Sequence, residues 1–331
     1  MISWLWLTLG CAALVDNYTY KKVIPVGLAS PDLRKACGLG ESLSFPLRSF
    51  GKLPRTMVVA ETTAGLCEEF EAWEARLTEA KSLKNLAGDA RLAEVKDARL
   101  RAQRAHTRVA TRYYRAFREL EKSYPKHTLG EGACPTIKEK DEVVYVVGLV
   151  AGLLAVLHSK NGANLASVPD SLLPRIARAA TCVNAQKWWY VPHAIQGSVW
   201  AAVPGSGPEK IDPWKHLSDA ADKGSSSGVR VGWGFHNLIA ANAGRTKDLH
   251  FGLKAHAESK ESKGAHPNWA LLDEYAYYVS RHQSDLLWIA HAGHRTELFG
   301  DLPQTESESS QEEDPFGEEP TPTPAKGDPK K

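Results

Sequence analysis

The chain has 331 residues, 43% of them hydrophobic, which is enough to bury a real core in one large domain or two modest ones. Its 41 Lys and Arg nearly balance its 39 Asp and Glu, so it lacks the strong positive field that nucleic-acid binding requires, and nucleic acid is not expected as a partner.

The first element is an apolar run from Trp4 to Val15. It is too short for the ~20 residues that cross a bilayer. It fits a secretory signal over residues 1–10, with the small residue Gly10 at the cut. The stretch "LTLGC" resembles the lipobox of bacterial lipoproteins, although Thr8 stands where Leu is usual and no basic residue precedes the run. That resemblance implies diacylglycerol on Cys11 and a periplasmic protein anchored to a membrane, the outer one being expected. The short leader also points to a start codon further upstream. The competing reading is an N-terminal helix tucked into the core, with Cys11 as a small buried hydrophobe.

Residues 11–56, rich in Gly, Pro and Ser, read as an irregular segment with one short helix. In "ASPDLRKACGLG", Ser30 is the expected N-cap, Pro31 the first turn, and Gly38 or Gly40 the stop. The helical domain is then expected over 57–300. Leu66, Phe70, Trp73 and Leu77 recur at threes and fours, predicting an amphipathic helix over 58–86. A second runs over 89–124, with Leu92, Val95, Val109, Tyr113, Phe117 and Leu120 as its buried stripe and Pro125 as its stop. Arg101, Arg104, Arg108, Arg112 and Arg115 on that helix read as a solvated face.

"VVYVVGLVAGLLAVL", Val143 to Leu157, is apolar all round and reads as a fully buried helix. Gly148 and Gly152, four apart, would let a neighbour approach closely. Beyond it one plan repeats, a helix followed by a Gly or Pro break; Asp212 caps a helix that opens on Pro213 and closes at Gly224. No alternating strand pattern appears. The fold class is all-α, built of antiparallel helix pairs, ending in a disordered acidic, Pro-rich tail over 301–331 that carries Glu306, Glu308, Glu312, Glu313, Asp314, Glu318 and Glu319. That tail offers a segment for the basic helix or for another envelope component.

Cys11 set aside, Cys37, Cys67, Cys134 and Cys182 remain. In an oxidising compartment four cysteines allow three pairings among which the sequence does not choose; the nearest-neighbour scheme, Cys37 with Cys67 and Cys134 with Cys182, is the working expectation. No Cys or His spacing suits zinc, and no cofactor or metal is expected. "GSSSG", Gly224 to Gly228, matches the nucleophile-elbow pattern around Ser226, but the strand such an elbow needs is missing and a flexible linker is the better reading. His291 and His294 sit three apart with Gly293 between them, which suggests a helix end rather than a metal site. The chain is therefore read as a binding protein and not an enzyme.

Seven of the ten tryptophans fall after residue 187. Most should fill seams between helices, since aromatic rings bury large areas. The candidates for lining a pocket for an apolar or amphipathic small molecule are Trp188, Trp189, Trp200, Trp233, Trp269, Tyr275 and Tyr278. Of these Trp188, Trp189, Trp233 and Trp269 lie beside breaks and are expected to be partly exposed.

Three segments are degenerate versions of the tetratricopeptide (TPR) pattern: "FRELEKSYP" with Phe117, Leu120 and Pro125, "LPRIARAATCVN" with Ile176 and Ala179, and "PWKHLSDAA" with Pro213, Leu217 and Ala220. Taken in order from about Ala105 to Ala290, "RYYRAFRELE", the stretch from "SVPDSLLPRIARAATCVNAQKWWY" through "IDPWKHLSDAAD", and "NWALLDEYAYYVSRHQSDLLWIA" resemble the T-component family of TRAP transporters, TatT. The resemblance implies a TPR-like superhelical array, a lipid anchor, homo-oligomeric assembly and a periplasmic solute-binding protein as partner. An envelope scaffold of the same fold, with another envelope protein as partner, is the alternative. The loop "DKGSSSGVRVGWG", the four further cysteines and the acidic tail are not part of the family pattern.

Overall fold

The computed structural model describes residues 14–50, 53–85 and 89–303. The expectations for the signal, for Cys11 and for the tail beyond Pro303 lie outside the described residues. The described residues form eleven α-helices and no strand, so the fold is all-α.

Within 11–56 the described residues are mostly helical, beyond the one short helix expected there. A π-helical turn, Thr19–Val23, runs into α1 (Ile24–Ala29), and α2 (Leu33–Ser49) follows. The cap of α2 is Asp32, whose carboxylate accepts the Lys35 N–H; Ser30 instead accepts the Asp32 N–H. The residues that suggested a loop are accommodated within the helix. Ser42 and Ser44 donate back to carbonyls of their own turn, and Gly40 gives the closest approach to the next helix, where a Cβ would lie 2.3 Å from the Ala64 nitrogen. Tertiary contact here outweighs weak propensity, and Ile24, Leu28, Leu33 and Ala36 join the main core.

Helices α3 (Pro54–Lys84) and α4 (Asp89–Ser123) are the two longest. They are antiparallel: partners descend α3 as they climb α4, from Arg99 with Glu79 to Arg108 with Glu68 and Glu71 and Tyr113 with Glu69. Part of the arginine stripe thus faces the glutamates of α3 rather than water alone, while Arg104 and Arg115 stay exposed. Exposed pairs of this kind contribute only ~0–1 kcal/mol each, so apolar packing carries the contact.

Helix α5 (Glu142–Asn161) lies against α3, α4, α6 (Leu172–Ala179) and α7 (Val191–Ala202). The stretch Glu139–Asn161 is long and apolar enough to cross a membrane, with a mean hydropathy of 1.9, yet 78% of its most apolar window is buried inside the protein. The two glycines seat it: a Cβ on Gly148 would come within 2.7 Å of Leu120, and one on Gly152 within 2.7 Å of Phe117.

The rest is a run of shorter helices, α8 (Pro213–Ser225), α9 (Val231–Asn242), α10 (Thr246–Ser262) and α11 (Ala270–Ala292). Asp212 caps α8 by accepting the Trp214 and Lys215 N–H groups. Arg230 is fully buried and ties three elements together, donating to both carboxylate oxygens of Asp273, to Ser259 and to the Lys263 carbonyl. Neighbours in sequence are mostly neighbours in space. The exception is α11, which returns to α3 through Tyr275 on Glu69, Tyr278 on Trp73, Lys84 on the His291 carbonyl and Arg295 on Glu74. That closure joins the first long helix to the last. Two disulfides add staples: Cys37–Cys67 between α2 and α3, and Cys134–Cys182 between the loop after α4 and the turn after α6.

Candidate ligand cavity

Where α1, α3, α5 and α11 meet, the core leaves a cavity of about 90 Å³. Its wall is apolar throughout. Val143, Val147, Val150 and Leu154 of α5 form one side at helical spacing, opposite Val59 and Leu66 of α3 and Leu271 of α11. This explains why α5 is apolar on every face: one side packs on neighbouring helices while another lines the void. Thr62 and Thr63 also line it, but each hydroxyl is spent on a carbonyl of its own helix, Val58 and Val59. A second void, about 20 Å³, shares Ile24, Leu28, Val59, Thr63 and Leu271 with the first and continues the line of apolar space toward α2.

One end of the cavity is made by Trp188 and Trp189. The chain turns sharply here, with Trp189 at φ 49° and Tyr190 at φ 58°. Two successive bulky residues in the left-handed region cost roughly 1–2 kcal/mol each. The turn is held by Tyr190 donating to the Ala185 carbonyl and by close approach of α8, where a Cβ on Gly224 would lie 2.6 Å from the Trp189 carbonyl oxygen. Its effect is to send adjacent rings in different directions. Trp188 goes inward and donates its indole N–H to Glu142, 2.8 Å away; Trp189 stays half-buried with its ring 4.9 Å from Trp269. Burial would raise the Glu142 carboxyl, but hydrogen bonds from Lys187 and Trp188 hold it below the ordinary range, so it remains a charged anchor for Trp188.

Behind the cavity lies a buried polar network. Tyr113 and Tyr275 line the void and donate their hydroxyls to Glu69, at 2.7 and 3.1 Å. His158 reaches the same carboxylate through Nε2 at 2.8 Å, and its Nδ1 meets Nδ1 of His106 at 2.8 Å. Burial and the neighbouring His158 push His106 down to about 2, so it is neutral. With the proton of His106 on Nδ1, His158 accepts at Nδ1 and donates its Nε2–H to Glu69. Burial and the Glu69 carboxylate push both tyrosines well above their ordinary value, so they remain donors. The network is internally satisfied. It fixes four helices around the cavity and presents no free polar atom to it.

The seven aromatic candidates separate accordingly. Trp188, Trp189 and Tyr275 line the cavity, and Trp269 packs on the first two. Trp200 packs at a tilt against His216 between α7 and α8, and Tyr278 stacks on Trp73; neither lines it. Trp233, expected to be partly exposed, is only 2% exposed. The reason lies in α9, whose Gly232 and Gly234 let it sink against Ala221 and Ala276. Trp188, at 8% exposure, is likewise buried. Tyr113 and the α5 valines were missed as cavity-lining residues, and Glu69 as the anchor behind them, though the unbroken apolar run of α5 was a signal for the valines.

Gly224 and Ser225 belong to α8, and the turn that follows is packed rather than a flexible linker, since a Cβ on Gly228 would lie 2.5 Å from the Gly264 carbonyl oxygen. The Ser226 hydroxyl donates to the Lys223 carbonyl. His291 and His294 are exposed, and no three His, Cys, Asp or Glu side chains converge to hold a metal among the described residues. No family model, curated protein or solved structure matches this chain.

Proposed function

We propose that this is a non-enzymatic binding protein that takes the apolar part of a small molecule into the cavity between α1, α3, α5 and α11. The observation that carries the reading is a wall built only from hydrocarbon and aromatic surface at a helix junction, the kind of place where ligand sites form in helical proteins. The two disulfides are in keeping with an oxidising compartment. Together with the lipobox-like "LTLGC" and the resemblance to the T-component family, this supports a lipid-anchored periplasmic protein. There it would serve as an accessory of a TRAP-type transport system, beside a solute-binding protein. Calorimetric titration of the full chain with decanol tests the binding: the wild type takes up one molecule, and Val147→Phe, which fills the cavity, abolishes uptake while keeping the fold. Equal uptake by both proteins would refute the site.

A second reading, an envelope scaffold, is favoured by Phe45. It is 85% exposed and shares a surface groove with Arg48, Arg112 and Arg115. Phe45→Ser tests it through pull-down of envelope proteins.

A further inference from the structure

The cavity of about 90 Å³ is too small for a whole ligand, since such sites usually measure ~300–1,000 Å³. Trp189 also borders a second space, an open cleft of about 620 Å³ lined by Ser227, Lys263, Gly264, Ala265, His266 and Pro267. One residue thus borders both an apolar void and an open cleft, and the two spaces together fall within the usual range.

The chemistry of the cleft is one-sided. No carboxylate lines it, and its one charged lining side chain is Lys263. The Lys263 carbonyl is itself taken up by buried Arg230. Lys263 is exposed, and among the described residues it makes no ion pair and the Ser227 hydroxyl makes no hydrogen bond. His266 accepts the Asn268 N–H at Nδ1, which leaves its Nε2 carrying the proton. An ammonium, an imidazole N–H and a hydroxyl around one cleft select an anion.

We propose that the cavity and the cleft are two halves of one site for an amphipathic anion. Its unbranched hydrocarbon chain enters the apolar void and continues toward the smaller void beside α2, while its anionic head stays with Lys263, His266 and Ser227. Trp189 is the gate. Its backbone is fixed by the left-handed turn and by Gly224, so opening needs only rotation of the indole away from Trp269. This rests on the binding reading above and adds the ligand's polarity, its shape and its entry route.

The test is calorimetric titration of the full chain with decanoate, decanol and decyltrimethylammonium, each below its micellar concentration, beside the surface variant Lys263→Glu. Decanoate is expected to bind about tenfold tighter than either of the others, and Lys263→Glu to remove that preference while leaving decanol unchanged. In stopped flow, Trp189→Ala and the milder Trp189→Phe should both speed association and dissociation. Equal binding of decanoate and decanol by the wild type, or a preference that survives Lys263→Glu, would overturn the head-group assignment and leave the cavity reading standing. Failure of all three compounds to bind would overturn both.

Discussion

Arg230 and Asp273 show what a buried charge demands. The guanidinium is fully buried and the carboxylate nearly so, and the pair is completed by Ser259 and the Lys263 carbonyl, so few charged valences are left over. Such a pair is weak evidence for net stability, but removing one member strands the other. Asp273→Ala is therefore expected to cost about 3–5 kcal/mol, read as a lower urea midpoint at unchanged slope. A loss under 1 kcal/mol would show that water reaches Arg230. Neither residue stands out in the sequence, because an Arg and an Asp 43 positions apart carry no periodic signal of meeting. Tyr275 was legible as a candidate from its place in the aromatic-rich third. Its true role, donating to Glu69 about 200 residues earlier, was not.

Between elements, close approach decides the geometry. At the crossing of α3 and α4, a Cβ on Gly65 would lie 2.3 Å from the Tyr113 ring, and that ring is tethered to Glu69 by its hydroxyl. Gly65→Ala gains up to ~1 kcal/mol of helix propensity but forces overpacking that costs typically ~1–3 kcal/mol. A net loss of stability is expected on thermal melting, and a stabilised variant would show that Tyr113 can move freely. The same contrast explains which helices could be read in advance. Leu66, Phe70, Trp73 and Leu77 gave α3 its period, Asp212 and Pro213 opened α8, and Gly148 and Gly152 marked a tight seam on α5. Only the first part of α2 was legible, up to the expected stop at Gly38 or Gly40; its continuation to Ser49 was hidden because Gly38, Gly40, Ser42 and Ser44 have the composition of a loop, and contact with α3 holds them helical. The α5 valines that form the cavity were visible as apolar, but a lining position and a packed one look alike in sequence.

Across the whole molecule the buried histidines set the response to acid. Burial pushes His106 to about 2, His256 and His282 to about 3, and His236 to about 4. Unfolded, each would titrate near 6.5, so below that pH the unfolded chain takes up protons that the native one refuses. Stability is fully present above about pH 6.5 and falls as the pH drops toward 4, by roughly 1.4 kcal/mol per pH unit for each histidine. Urea midpoints at pH 8, 6 and 5 should decline with about four protons taken up on unfolding; a flat profile would mean that these rings are already charged in the fold.

The closure of α11 onto α3 encloses the cavity, whose content decides whether this is a ligand-binding protein. The most direct measurement is an NMR spectrum of the full chain with ¹³C-labelled methyl groups in the presence of decanol. Nuclear Overhauser contacts are predicted from the decanol chain to the methyls of Val147, Val150, Leu154 and Thr63. Contacts confined to exposed side chains such as Leu165, Phe251 or Leu298, with none to the α5 valines, would contradict a ligand cavity at this junction.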